Sequence, residues 1–175
     1  NELTILEALK ELGPNAAASL AIGDCASFGG IPAAKPNPTE CKPISAILPD
    51  ATIINIQGCP PHPDWILGTI VHVLLFGIPE LDGKKRPKLF FSDTVHQNCP
   101  NYSYFQEGKM AKKFGDKGCL IELGCKGPMA QSDCPLRKWN SGVNWCIGVG
   151  APCIGCSSES FPDGMSPFYS ALPKT

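Results

Sequence analysis

Apolar residues recur at Leu3, Leu6, Leu9 and Leu12 along NELTILEALKELG, with Ile5 and Ala8 beside them. That spacing predicts a helix of about three turns, ended by Gly13-Pro14. AAASLAIGDC follows as a short apolar run, which predicts a buried strand leading into a loop. DATIINIQGCPP repeats the plan, with an apolar strand from Ile53 to Ile56, then Gly58 and a proline-rich turn. HPDWILGTIVHVLLFG carries apolar residues at helical spacing. The order helix–strand–strand–helix predicts an α/β arrangement: part of an open parallel sheet with helices packed on it. The loops GDCASFGG and QGCPPHP then share the carboxyl edge of that sheet, where open α/β sheets place ligands.

The pattern changes at about Ser92, which sets a boundary between residues 1–92 and 93–175. YSYFQEGKMAKKFGDKG is the strongest regular element of the second part and predicts a helix of about two or three turns. Lys109, Lys112, Lys113, Lys117 and Lys126 lie in and beyond it and read as a solvated face. Beyond Gly118 no long periodic segment appears, so this part is expected to be loop-rich and mainly irregular or α. It lacks the patterned apolar face of a conventional core, so crosslinks or metal binding coupled to folding are expected to fix it.

Composition narrows the classes. The 175 residues carry a net charge of −1, which argues against a dedicated nucleic-acid or anionic-membrane binder. No apolar run is long enough for a transmembrane helix. The start is a helix pattern without Met, which reads as a processed or partial chain from which a targeting segment has been lost. Eighteen glycines and eighteen prolines imply much loop. GDCASFGG lacks the G-x-G-x-x-G spacing of a dinucleotide site, and neither H-E-x-x-H nor G-x-S-x-G occurs, so catalysis is expected to lie elsewhere.

Ten cysteines remain to be explained, seven of them in the second part. Cys134, Cys146, Cys153 and Cys156 form C-x11-C-x6-C-x2-C, and the last pair has the spacing at which one turn presents two thiolates to a metal or cluster. His96, Cys99, Cys119 and Cys125 form H-x2-C-x19-C-x5-C. An iron–sulfur cluster, structural zinc, disulfides and free thiols all remain open on spacing alone. Cys25 and Cys59 end the two strands; two thiolates cannot close a four-ligand site. Cys41 reads as a free thiol, His62 as a neighbour of Cys59, and His72 as a satisfied core histidine.

The stretches AIGDCASFGGIPAAKPNPT, NIQGCPPHPDWILGTI, HQNCP, CLIELGCKGP, CPLRKWN and PCIGCSSESFPDGMSPFY, taken together and in order, resemble the small, electron-transferring subunit of nickel–iron hydrogenases. The resemblance implies a flavodoxin-like amino-terminal domain, incomplete here, followed by an iron–sulfur domain with little regular structure. It implies that His96, Cys99, Cys119 and Cys125 hold a distal [4Fe-4S] cluster. Cys25 and Cys59 would be two of four proximal [4Fe-4S] ligands, the others coming from an early C-x2-C segment absent from this sequence. Cys134, Cys153 and Cys156 match the three medial ligands of members with a [3Fe-4S] cluster, which carry proline near position 146. Cys146 departs from that pattern, and the fourth thiolate predicts a medial [4Fe-4S] cluster, as in the nickel–iron–selenium subgroup. The implied partners are a large subunit bearing the Ni-Fe(Se) centre and a multihaem cytochrome c, in the periplasm, with no flavin. The other readings are a structural zinc or disulfide-rich interaction module, and an iron–sulfur subunit of another oxidoreductase.

Overall fold

The computed structural model describes residues 3–171. The chain divides between Leu89 and Phe90 into two compact units, each with its own interior.

In the first unit, α1 (Ile5–Leu12) starts at Thr4. The Thr4 hydroxyl accepts from the Glu7 N–H while Glu7 accepts from the Thr4 N–H, a closed capping box. The helix is two turns rather than three, because Gly13–Asn15 tighten into a 3-10 turn at Gly13-Pro14. β1 (Ser19–Ile22) pairs in parallel with β2 (Ile53–Ile56), Ser19 opposite Ile53 and Ile22 opposite Ile56. Every residue of β2 is buried, as a continuous Ile-rich run in a covered parallel strand should be. Between the strands lie α2 (Asp24–Phe28) and α3 (Ile44–Ile47), and Ile44 and Ile47 pack on a small core of Ala21, Leu48 and Ile53.

α4 (Pro63–Phe76) follows β2. It is apolar nearly all round, yet only Trp65 and Thr69 are fully buried. Leu67, Leu74, Leu75 and Phe76 stand out to solvent in the isolated chain, an apolar surface of the kind that meets a partner. His72 is half-buried rather than in the core, because its helix face is not covered; its ring Nδ1 lies 2.9 Å from the Gly77 carbonyl oxygen.

A buried ion pair anchors the end of β2. Arg86 is 1% exposed. Its Nε and Nη2 donate to Asp82 Oδ2 at 2.8 and 2.6 Å, and its Nη1 donates to Gln57 Oε1 at 2.8 Å. Asp82 Oδ1 accepts from the N–H groups of Lys84 and Arg86. Burial pushes the Asp82 carboxyl up, but the hydrogen bonds and charge of Arg86 outweigh it and hold it below its usual range.

The chain crosses into the second unit through α5 (Lys88–Phe91). The unit contains only two further α-helices among the described residues, α6 (Tyr102–Gln106) and α7 (Cys134–Arg137), and several 3-10 turns. The helix expected over YSYFQEGKMAKKFGDKG is confined to α6, because Gly108 takes a φ of +70° and the chain turns back so that Met110 bridges Cys119. Lys109, Lys112, Lys113 and Lys117 are exposed on the resulting loop. Lys109 pairs with Glu107 at 2.7 Å and Lys112 with Glu122 at 2.6 Å. Lys126 is not on a solvated face: it is 1% exposed. No helix among the described residues is long and apolar enough to cross a membrane.

Candidate metal centres

The parallel register brings the first two cysteines together. The Gly23 N–H donates to the Ile56 carbonyl, the Asp24 N–H donates to the Gly58 carbonyl, and the Gly58 N–H returns a 2.7 Å bond to Asp24 Oδ1. This reciprocal clasp joins the two strand-end loops one residue before each cysteine. Gly58 takes a φ of +145°, and a Cβ there would stand 2.7 Å from Pro61 Cα, so the turn that presents Cys59 requires glycine. Burial raises the Cys59 thiol, and the charges of Asp24 and Cys25 raise it further, so the thiols are electrostatic neighbours. Asp24 itself is buried, and its carboxyl is raised to about 7, chiefly by desolvation. His62 lies near this edge, but its ring Nδ1 accepts from the Asp64 N–H at 3.1 Å and so caps α4. Cys41 sits apart, half-buried, its N–H donating to Asn37 Oδ1 at 2.8 Å.

The other two sets share one interior. The core of the second unit contains Cys99, Cys125 and Cys153 among Val95, Leu120, Trp145 and Ile147, with Cys134 packed against it. Cysteine sulfur thus fills the place that aliphatic side chains fill in a conventional core. None of the ten cysteines is joined in a disulfide. Among the described residues, no three His, Cys, Asp or Glu side chains converge as the ligands of one ion would.

A repeated local device aims the sulfurs. At Cys99, Cys119, Cys125 and Cys153 the backbone N–H two residues on, of Asn101, Ile121, Gly127 and Gly155, acts to lower the thiol pKa. For Cys153 the N–H···S distance is 3.4 Å. Such turns fix each side chain and direct amide dipoles at sulfur, which stabilises negative charge there. Cys134 instead takes hydrogen bonds from the side chains of Ser132 and Trp139.

Burial opposes these bonds. It raises Cys99 to about 11 and is the largest cause of the upward shifts at Cys119, Cys125 and Cys134. Bare thiolates are therefore disfavoured here, whereas coordination to a metal deprotonates a thiol outright. The donor set fits a buried iron–sulfur group: soft thiols, amide N–H groups aimed at sulfur and an apolar wall.

His96 is the remaining residue of the H-x2-C-x19-C-x5-C pattern. Its ring lies edge-on to Tyr102 and Phe105, at 5.0 and 4.7 Å between centroids, and burial lowers its pKa, which favours the neutral ring that a metal needs. Cys99, Cys119 and Cys125 are buried while His96 is half-buried.

Cys146 stands beside Cys153. A hydrogen bond from the Cys153 thiol lowers Cys146, and the same contact raises Cys153. Cys146 also acts electrostatically on Cys134, Cys99 and Cys125, so it sits among the candidate sulfurs rather than outside them. Cys156, half-buried, follows Cys153 through the turn at Gly155.

Three neighbours of the sulfur sets carry no sign in the sequence: Ser132, Trp139 and Lys126. Ser132 and Trp139 have no spacing signal, since both act through contacts made by the fold. Lys126 is masked by the run of lysines that precedes it.

Comparison with known proteins agrees with this geometry. Residues 91–169 match the C-terminal family of NiFe/NiFeSe hydrogenase small subunits, and residues 1–73 match the family of the 20 Kd subunit of NADH ubiquinone oxidoreductase. The periplasmic NiFeSe hydrogenase small subunit of Desulfomicrobium baculatum is 46% identical over 98% of this chain and 58% of its own length. The periplasmic NiFe hydrogenase small subunit of Solidesulfovibrio fructosivorans is 45% identical over 94% of this chain and 54% of its own. This chain therefore spans just over half the length of these relatives. The solved NiFeSe hydrogenase of Dm. baculatum superposes with a TM-score of 0.92 at 45% identity, over 98% of this chain and 65% of that one. A parallel pair of strands presenting two cysteines, a sulfur-filled second unit and this likeness along nearly the whole chain lead to one assignment: the chain belongs to the small-subunit family of nickel–iron hydrogenases.

Proposed function

We propose that this chain relays electrons between a large subunit, which carries the Ni-Fe(Se) centre where H2 is split or formed, and an external carrier. The observation that carries the reading is the shared interior of the second unit. There Cys99, Cys125 and Cys153 line one core with Cys134 packed against it, and the N–H two residues on from Cys99, Cys119, Cys125 and Cys153 acts to stabilise each thiolate. Bound iron–sulfur clusters supply one-electron carriers at potentials set by ligand charge, hydrogen bonds and exposure. Cys25 and Cys59 would hold the proximal [4Fe-4S] cluster together with two ligands outside the residues of this sequence. Cys134, Cys146, Cys153 and Cys156 would hold the medial one. His96, Cys99, Cys119 and Cys125 would hold the distal one, with the half-buried imidazole marking the exit toward a multihaem cytochrome c. The amino-terminal unit corresponds to part of a flavodoxin-like domain, and the exposed apolar residues of α4 suit burial against other protein. The relatives named periplasmic support a periplasmic setting.

Iron and sulfide analysis of the purified complex tests the reading. About eight irons are expected from the two complete sets of this chain, and about twelve where the proximal set is completed. A colourless protein with zinc in place of iron would sink it.

Cys146 decides the medial type. Its φ of −53° is one that proline adopts, so Cys146→Pro removes the thiol with little change of backbone. The variant is expected to hold one iron fewer, to show the spectrum of a three-iron centre, and to have a higher medial potential, because four thiolates hold more negative charge than three. Unchanged iron content and potential would remove Cys146 from the ligand set.

A further inference from the structure

We propose that Lys126 is the counter-charge shared by the medial and distal sulfur sets, a positioning residue that raises the reduction potential at both. The inference rests on the electron-relay reading above. Lys126 is 1% exposed, and among the described residues no carboxylate pairs with it. Its Nζ donates to the Ser170 carbonyl at 2.8 Å. A carbonyl dipole orients an ammonium but does not neutralise it, and burying an unpaired charge is costly.

Its surroundings supply the missing anion. Lys126 follows Cys125 of the distal set directly, and its N–H donates to the carbonyl of Cys153, of the medial set, at 2.7 Å. Its stem backs on Gly155, between Cys153 and Cys156: a Cβ on that glycine would lie 3.1 Å from Lys126 Cβ. Cys125 and Cys153 are themselves within electrostatic range of each other. The backbone and Cβ of the residue thus stand between Cys125 of one proposed set and Cys153 of the other, where negative charge gathers once iron ionises the thiols. A fixed positive charge there favours each added electron and weakens the repulsion between electrons held on neighbouring sites. The exposed Lys112, paired with Glu122, is screened by water and serves as the contrast.

The test is an EPR-monitored redox titration of the complex with Lys126→Gln, Lys126→Met, Lys126→Arg and Lys112→Met. Gln keeps a donor for the Ser170 carbonyl without charge, and Met keeps only the stem. Both are expected to lower the medial and distal potentials, by about a tenfold fall in each reduction equilibrium constant, or about 59 mV for one electron. Lys126→Arg and Lys112→Met are expected to leave them near wild type. Loss of iron in Lys126→Gln with retention in Lys126→Arg supports the same charge requirement at assembly. Unshifted potentials in Lys126→Gln would overturn the proposal and leave Lys126 as a tether for Ser170. Loss of iron in Lys126→Arg as well would overturn it in favour of side-chain shape. Wild-type protein lacking iron and sulfide would end the electron-relay reading itself, an outcome distinct from any of these.

Discussion

Asp82→Asn is expected to destabilise the first unit by about 3–5 kcal/mol, the cost of removing the carboxylate from the ion pair of a buried arginine. Arg86 would remain 1% exposed without the carboxylate to which its Nε and Nη2 donate, and Gln57, the residue before the Gly58-Cys59 turn, would lose a fixed neighbour. For a unit of this size the thermal midpoint should fall by about 12 °C or more. The effect has a defined pH dependence. The folded-state pKa of Asp82 lies below its unfolded value, so its contribution is fully present above the unfolded pKa and is lost as pH falls through the folded one. The gap between wild type and variant should be constant near neutrality and close progressively below about pH 4. A midpoint unchanged at pH 7, or a gap that widens in acid, would show that the pair contributes nothing.

Gly155→Ala is the second large effect, and it falls on the proposed medial set. Gly155 has a φ of +77°, and an added Cβ would lie 2.4 Å from Met165 Sδ. Met165 is 0% exposed, so it has little room to withdraw. Left-handed backbone and overpacking together should cost about 2–5 kcal/mol. Because the same turn carries the N–H that bonds Cys153 Sγ and leads on to Cys156, the strain falls on candidate ligands. The variant is expected to lose iron from the medial set before it loses secondary structure. Iron per chain and circular dichroism measured on the same sample check this; full iron content at an unchanged midpoint would refute it.

Legibility from sequence followed the range of the interactions. β2 is legible because Ile53, Ile54 and Ile56 make a local apolar run, and α4 because its apolar residues recur over fourteen positions. The pairing of Cys153 with Cys156 in one short segment is legible from spacing, because the turn at Gly155 carries the chain from one to the other. The expected helix beyond Gln106 failed for a reason outside its own pattern: residues 109–111 pair with Cys119 instead. The Asp82–Arg86–Gln57 anchor and the placement of Lys126 were not legible, because each depends on residues 29 to 44 positions apart. One lysine in a lysine-rich stretch gives no local sign that its side chain turns inward.

The shared core of Cys125 and Cys153 has a consequence for biogenesis. The two cysteines belong to different proposed sets, and the Lys126 N–H binds the Cys153 carbonyl, so a wall of one proposed nest is also a wall of the other. A chain that has received iron at only one of them would have part of its interior less well supported. Filling one nest should therefore favour filling the other. Limited proteolysis during reconstitution should find partly loaded chains more protease-sensitive than fully loaded ones.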